Sequence, residues 1–189
     1  MDWIIKQAGF SLDDTADLGN RFLVGNGYLG VRGTMEEYGK AQLVAVNLAG
    51  IYHKVGDAWR EPLNAPNPFF ARLSRQGNPV AVPDAEPDAH SQWLDIQHGV
   101  HGRETVFGDI TIRAERFACM DNVHLLAMRY EANWQGDACT LEYGIDSDVW
   151  DINGPHYGVI VHAENRVLAS TDAGQKVAVA IRPELARKD

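Results

Sequence analysis

Apolar and polar residues alternate along much of this chain with a period of two, the repeat of a strand that has one face on a core and one toward water. In 138–146, Cys139, Leu141, Tyr143 and Ile145 fall on one face, against Thr140, Glu142, Gly144 and Asp146. In 109–118, Ile110, Ile112 and Ala114 oppose Asp109, Thr111 and Arg113. Tyr157, Val159, Val161 and Ala163 share a face in 156–163, as do Val177, Val179 and Ile181 in 175–182. These patterns predict half-buried antiparallel strands. Two runs, 42–48 (QLVAVNL) and 123–130 (VHLLAMRY), are apolar on both faces and predict central strands covered from both sides. Further strands are expected at 20–24, 28–32, 91–98, 101–107 and 165–170, about a dozen in all, separated by Gly, Asn, Asp and Pro turns.

No long amphipathic helix is visible. Pro62, Pro66, Pro68, Pro79, Pro83 and Pro87 crowd the stretch 62–90, which reads as a long irregular excursion with a short strand or two. Strand periodicity resumes unchanged beyond it, so the expectation is one domain over 1–189. Many short antiparallel strands imply an all-β fold, a sandwich rather than a barrel, because two-faced apolar runs suit strands packed between layers.

Composition narrows the partners. The net charge is −9 with a pI near 5.2, and the basic residues are scattered (Lys6, Arg21, Arg32, Lys40, Lys54, Arg60) apart from the terminal pair Arg187-Lys188. Nucleic acid and anionic membrane are therefore poor partners. Nothing approaches the ~18 apolar residues of a membrane helix. The first ten residues lack the basic start and apolar run of a signal peptide. Two cysteines, Cys119 and Cys139, form no Cys-x-x-Cys pair and are expected as free, buried thiols. The expectation is a cytoplasmic protein with no cofactor.

Four local strings carry candidate chemistry. Gly25-Asn26-Gly27-Tyr28-Leu29-Gly30 contains the glycine spacing of a dinucleotide loop. No helix start follows it, and no acid lies between Glu37 and Asp57, where the ribose would need one. A tight hairpin at Asn26-Gly27 explains it better. His98, His101 and Glu104 suggest metal ligands, but residues three apart on a strand face opposite sides, so polar histidines around a turn are preferred and no metal is assigned. Glu36-Glu37 are adjacent on an extended chain and read as solvated charges. Asp146, Asp148, Trp150 and Asp151, continuing into Asn153-Gly154-Pro155-His156, place carboxylates beside an aromatic ring, as sugar-cleaving sites do; the competing reading is a turn-rich loop.

Three segments, in order along the chain, resemble the N-terminal region of family 65 glycoside hydrolases, which includes maltose, trehalose, kojibiose and nigerose phosphorylases. They are Val24–Gly33, then Glu115-Arg116-Phe117-Ala118-Cys119-Met120 with Val123–Ala127, then Gly144–Asp151 with Asn153–His156. Leu18-Gly19-Asn20-Arg21 departs from it, since many relatives carry an acid near Gly19. The resemblance implies a galactose-mutarotase-like β-sandwich, incomplete at its C-terminus. In relatives a helical linker and an (α/α)₆ barrel follow, and the barrel holds the catalytic glutamate and the phosphate site. No catalytic residue then falls on this chain. Its expected role is to support the substrate entrance and a homodimer contact, with Trp150, Asp151, Asn153 and His156 touching the sugar.

Two alternatives belong to other classes. One is a free-standing sugar-binding module using Trp59, Trp93, Trp134 or Trp150 as a platform. The other is a mutarotase-like epimerase, for which His98, His124, His156 and Glu142 are the available groups.

Overall fold

The computed structural model describes residues 3–187; Met1, Asp2, Lys188 and Asp189 lie outside the described residues. In chain order the elements are β1 (Ile4–Ala8), the short helix α1 (Thr15–Arg21), β2 (Val24–Gly25), β3 (Leu29–Val31), β4 (Val46–His53), β5 (Glu61–Asn64), β6 (Asn67–Arg75) and β7 (Asn78–Val80). There follow β8 (Ala89–Asp95), β9 (Val100–Phe107), β10 (Ile110–Ala118), β11 (Leu126–Asn133), β12 (Cys139–Asp146), β13 (Tyr157–Ala163), β14 (Arg166–Thr171) and β15 (Lys176–Ala180).

All strand pairs are antiparallel. A five-stranded sheet of order β1-β8-β9-β10-β11 forms one layer. Against it pack β2-β3-β4-β5 and β12-β6-β7, while β13-β14-β15 makes a separate three-stranded sheet. Val24, Val31, Val46 and Phe69 meet Leu94, Leu126 and Met128 across the layers, with Val177 of β15 joining them. Leu73 of β6 meets Ile110 and Ile112 of β10, flanked by Tyr130 and Leu141. This is the antiparallel sandwich that the alternation implied.

The strand β10 shows the alternation in full: Ile110, Ile112, Ala114, Arg116 and Ala118 are buried in turn. The glycine string is a hairpin. Val24 pairs with Val31 and Gly25 with Gly30, and Gly27 takes φ 86°. Asn26 builds the turn, its Oδ1 accepting from Tyr28 N (3.0 Å) and Leu29 N (2.8 Å). Its Nδ2 donates across the molecule to Cys119 O (2.7 Å) and Val123 O (3.1 Å). Gly33 is required for packing: a Cβ there would lie 2.4 Å from Phe22 Cβ.

Several expectations are corrected. The stretch 62–90 is no irregular excursion, since β5, the nine-residue β6 and β7 run through it. Its prolines sit where a missing N–H costs no ladder bond. Pro62 and Pro79 occupy strands at sheet edges, and Pro68 falls at the register shift between β6 and β12. Residues 20 and 21 of the expected 20–24 strand belong to α1 (Thr15–Arg21); its seven residues, with only Leu18 and Gly19 buried, are too few to show an apolar stripe. The strand expected at 42–48 begins only at Val46, because a 3₁₀ turn at Lys40–Gln42 ends with Leu43 in the left-handed region (φ 58°). The run 123–130 supplies an edge strand, β11, not a central one. β13 keeps its alternation but not its burial: Val159 is 58% and Val161 53% exposed. Cys119 and Cys139 are free and half-buried.

Glu36 and Glu37 are the largest departure. Residues 31–38 are buried throughout, and a turn at 36–37 sends both carboxylates the same way. Arg103, fully buried on β9, donates from Nε to Glu36 Oε2 (2.7 Å) and from Nη2 to Glu37 Oε2 (2.5 Å). Arg116 lies 3.9 Å from Glu36 and donates from Nε to His101 Nδ1 (3.0 Å). Burial pushes the Glu37 carboxyl up, and Arg103 opposes it. Burial alone would lower the Arg103 guanidinium, but Glu37 and Glu36 hold it above its ordinary value. His101, pushed well down by burial and by Arg116 and Arg103, is a neutral ring whose Nε2–H donates to Gln92 Oε1 (3.2 Å). Its neighbours His98 and Glu104 face solvent, so the His-x-x-His-x-x-Glu string is split between two environments.

Candidate functional site

The loop 147–156, between β12 and β13, lies against the hairpin β4–β5. Asn64 Nδ2 donates to Trp150 O (2.7 Å), and Tyr157 Oη donates to Asn64 O (2.9 Å). Asn153 donates from its backbone N to Glu61 Oε1 (3.2 Å) and from Nδ2 to Glu61 Oε2 (3.4 Å). Gly154, at φ +100°, supplies the backbone turn between Asn153 and Pro155 that a side chain would strain.

Between loop and hairpin is a cleft of about 80 Å³, lined by Asn47, Glu61, Pro62, Asn64, Trp150, Asp151 and Ile152. It combines two carboxylates, two amides and an indole, groups that accept, donate and stack. Burial pushes the Asp151 carboxyl up, with His156 and Lys40 opposing. The Trp150 indole Nε1–H is buried with no hydrogen-bond partner among the described residues.

Beneath the loop four side chains form a line. Asp172, on the turn between β14 and β15, places Oδ1 2.7 Å from His53 Nε2. His53 Nδ1 is 3.0 Å from His156 Nδ1, the two rings meeting edge to face. His156 Nε2 bonds Glu61 Oε1, and Asp151 Oδ1 lies 3.9 Å from the same nitrogen. His53 and Glu61 are direct partners in the β4–β5 ladder, which brings them together.

The four residues expected to touch sugar thus take different positions. Trp150 and Asp151 line the cleft, while Asn153 and His156 are engaged in fastening the loop. The acidic cluster divides as well. Asp146 accepts from Asp148 N (2.9 Å) as a turn cap, and Asp148 pairs with Lys40 (3.4 Å). Of the aromatic platform, Trp59 is exposed, whereas Trp93 and Trp134 are half-buried against Gly102 and the β6–β10 core. His98 bonds Asp95, His124 packs edge-on against Tyr28, and Glu142 is exposed on β12, so those three do not join His156. Sequence reading missed His53, Glu61 and Asp172. Their separations follow no repeat, and only the ladder register of β4 and β5 would have paired the first two.

Comparison with known proteins agrees with this architecture. The family model described as "Glycosyl hydrolase family 65, N-terminal domain" matches residues 5–185. Nigerose phosphorylase of Lachnoclostridium phytofermentans is 45% identical over 162 residues, 83% of this chain and 22% of its own length. The 1,2-alpha-glucosylglycerol phosphorylase of Bacillus selenitireducens is 32% identical over 161 residues, 82% of this chain and 21% of its own. A solved structure titled "Putative kojibiose phosphorylase from human microbiome" superposes with a TM-score of 0.73 at 19% identity, over 91% of this chain and 26% of that one. The chain therefore spans about a fifth to a quarter of these relatives' lengths.

Proposed function

Since the chain belongs to the family 65 glycosyl hydrolase N-terminal domains, we propose that it is the accessory sandwich of a disaccharide phosphorylase and carries no catalytic residue of its own. The parent splits an α-linked glucose disaccharide, with the chemistry in a helical barrel contributed by the remaining four-fifths of such a protein. The printed name of one relative, a nigerose phosphorylase, supports that substrate class, and that of another, a 1,2-alpha-glucosylglycerol phosphorylase, supports the α-glucoside link. The exposed apolar face of β13 and β14, with Val159, Val161 and Leu168, supports packing of this sheet on the rest of the parent. A homodimer, working in the cytoplasm, completes the reading.

Within it, the loop 147–156 forms a wall of the substrate entrance. One observation carries this: Trp150, with its unpaired buried N–H, and Asp151 line one cleft with Glu61 and two amides. A sugar presents hydroxyls that accept from an indole N–H and donate to carboxylates, and ring faces that stack on an indole. Asn153 and His156 serve the same wall by holding it in place. The experiment is Trp150→Ala in the full-length parent, assayed by phosphorolysis of nigerose, kojibiose and glucosylglycerol. KM for the preferred sugar should rise roughly tenfold, about 1.4 kcal/mol. Unchanged KM and turnover for every sugar overturns the assignment.

A further inference from the structure

The line Asp172–His53–His156–Glu61 ties an exposed turn to the loop over the cleft. It has three links: Asp172 to His53 Nε2 (2.7 Å), His53 Nδ1 to His156 Nδ1 (3.0 Å), and His156 Nε2 to Glu61. His53, His156 and Glu61 are buried, so no water replaces the two inner links, and Asp172 closes the line from the surface.

The line also ends on the right group to matter. Glu61 accepts two hydrogen bonds from Asn153, the residue that pins the loop carrying Trp150 and Asp151. The charges facing the two rings are Asp172 from the β14–β15 turn, Glu61 from β5 and Asp151 from the loop, with Lys40 and Asp148 acting on Asp151.

We propose that Asp172 and His53 are positioning residues for the sugar-contacting cleft: the hydrogen-bonded line they begin fixes the loop 147–156 against β5 through His156 and Glu61. The inference rests on the reading of the cleft as a sugar contact. Asp172 is the informative member, because it is 84% exposed and is not among the cleft's lining residues. Its removal does not threaten the fold, and a direct sugar contact cannot explain its effect.

The test is Asp172→Ala, which deletes the outer link; Asn would not, because its amide N–H can donate to His53 Nε2. In this chain, indole emission and its quenching by acrylamide, with Trp150→Phe identifying the Trp150 signal, report the loop. Asp172→Ala should make Trp150 more accessible to quencher, and Asp172→Glu should restore the wild-type signal. In the full-length parent, Asp172→Ala should raise disaccharide KM about threefold, the scale of an exposed charged contact, and leave kcat at saturating sugar unchanged. A Trp150 signal unmoved by Asp172→Ala overturns the proposal. A signal that moves while KM does not sinks the sugar reading of the cleft and leaves the positioning line standing.

Discussion

Removing Arg103 tests the view that the buried charges at the centre of the sandwich hold the segment 31–38 in place. Arg103→Met keeps an unbranched stem of similar reach and deletes the guanidinium. Three hydrogen bonds go with it: to Glu36 (2.7 Å), to Glu37 (2.5 Å) and to Thr105 Oγ1 (3.0 Å). Glu36 keeps only the more distant Arg116, at 3.9 Å. Glu37 keeps the Val82 backbone N–H at 3.4 Å and no cation. Two buried carboxylates then share one guanidinium. Breaking a buried pair from one side costs about 3–5 kcal/mol, because the orphaned charge stays away from water. In urea unfolding followed by tryptophan emission, stability should fall by that amount at neutral pH. The double variant Arg103→Met, Glu37→Gln should recover about 1–3 kcal/mol, since Glu36 and Arg116 then balance each other. The pH dependence gives an independent check. Burial already pushes Glu37 upward, and loss of Arg103 pushes it further. A carboxyl raised in the folded state binds its proton more tightly there than in the unfolded chain, so stability falls as pH rises through that window. The single variant's deficit should therefore shrink on acidification. A loss below about 1 kcal/mol at neutral pH, or a deficit that does not change with pH, refutes the reasoning.

Two further outcomes are expected. Asn26→Ala deletes both turn acceptances and both donations to the 119–123 loop, and should cost about 2 kcal/mol in thermal or urea unfolding; Asn26→Asp should retain only the turn half. His90 is pushed down to about 4 by burial, with Arg103 adding to the effect, so the unfolded chain takes up its proton first. The stability it contributes is complete above its ordinary value of 6.5 and is lost as pH falls toward about 4, at most about 3 kcal/mol. His90→Gln should flatten the stability profile over that interval, and an equally steep profile in the variant would exclude His90 as its cause.

Strand periodicity was legible because it is a local property. Ile110, Ile112 and Ala114 alternate with polar residues whatever their partners are, and the side-chain period of a strand is set by its own backbone. The same holds for the Asn26-Gly27 turn, whose geometry is decided within four residues. The ordered motifs from Val24 to His156 were enough to point to the family for the same reason: they are strings, readable without a partner. What lies inside the cleft and the core was not. Glu36 and Glu37 look like surface charges until Arg103, some 66 positions away, is placed against them. His156 looked like a surface contact until His53 and Glu61 closed on it from 103 and 95 positions away. Val159 and Val161 alternate as well as any core strand, yet face outward. A side chain's polarity states what it requires, a counter-charge, a proton or a dry neighbour. Only the assembled sheets, by bringing distant residues to bonding distance and excluding water, determine which requirement is met and by whom.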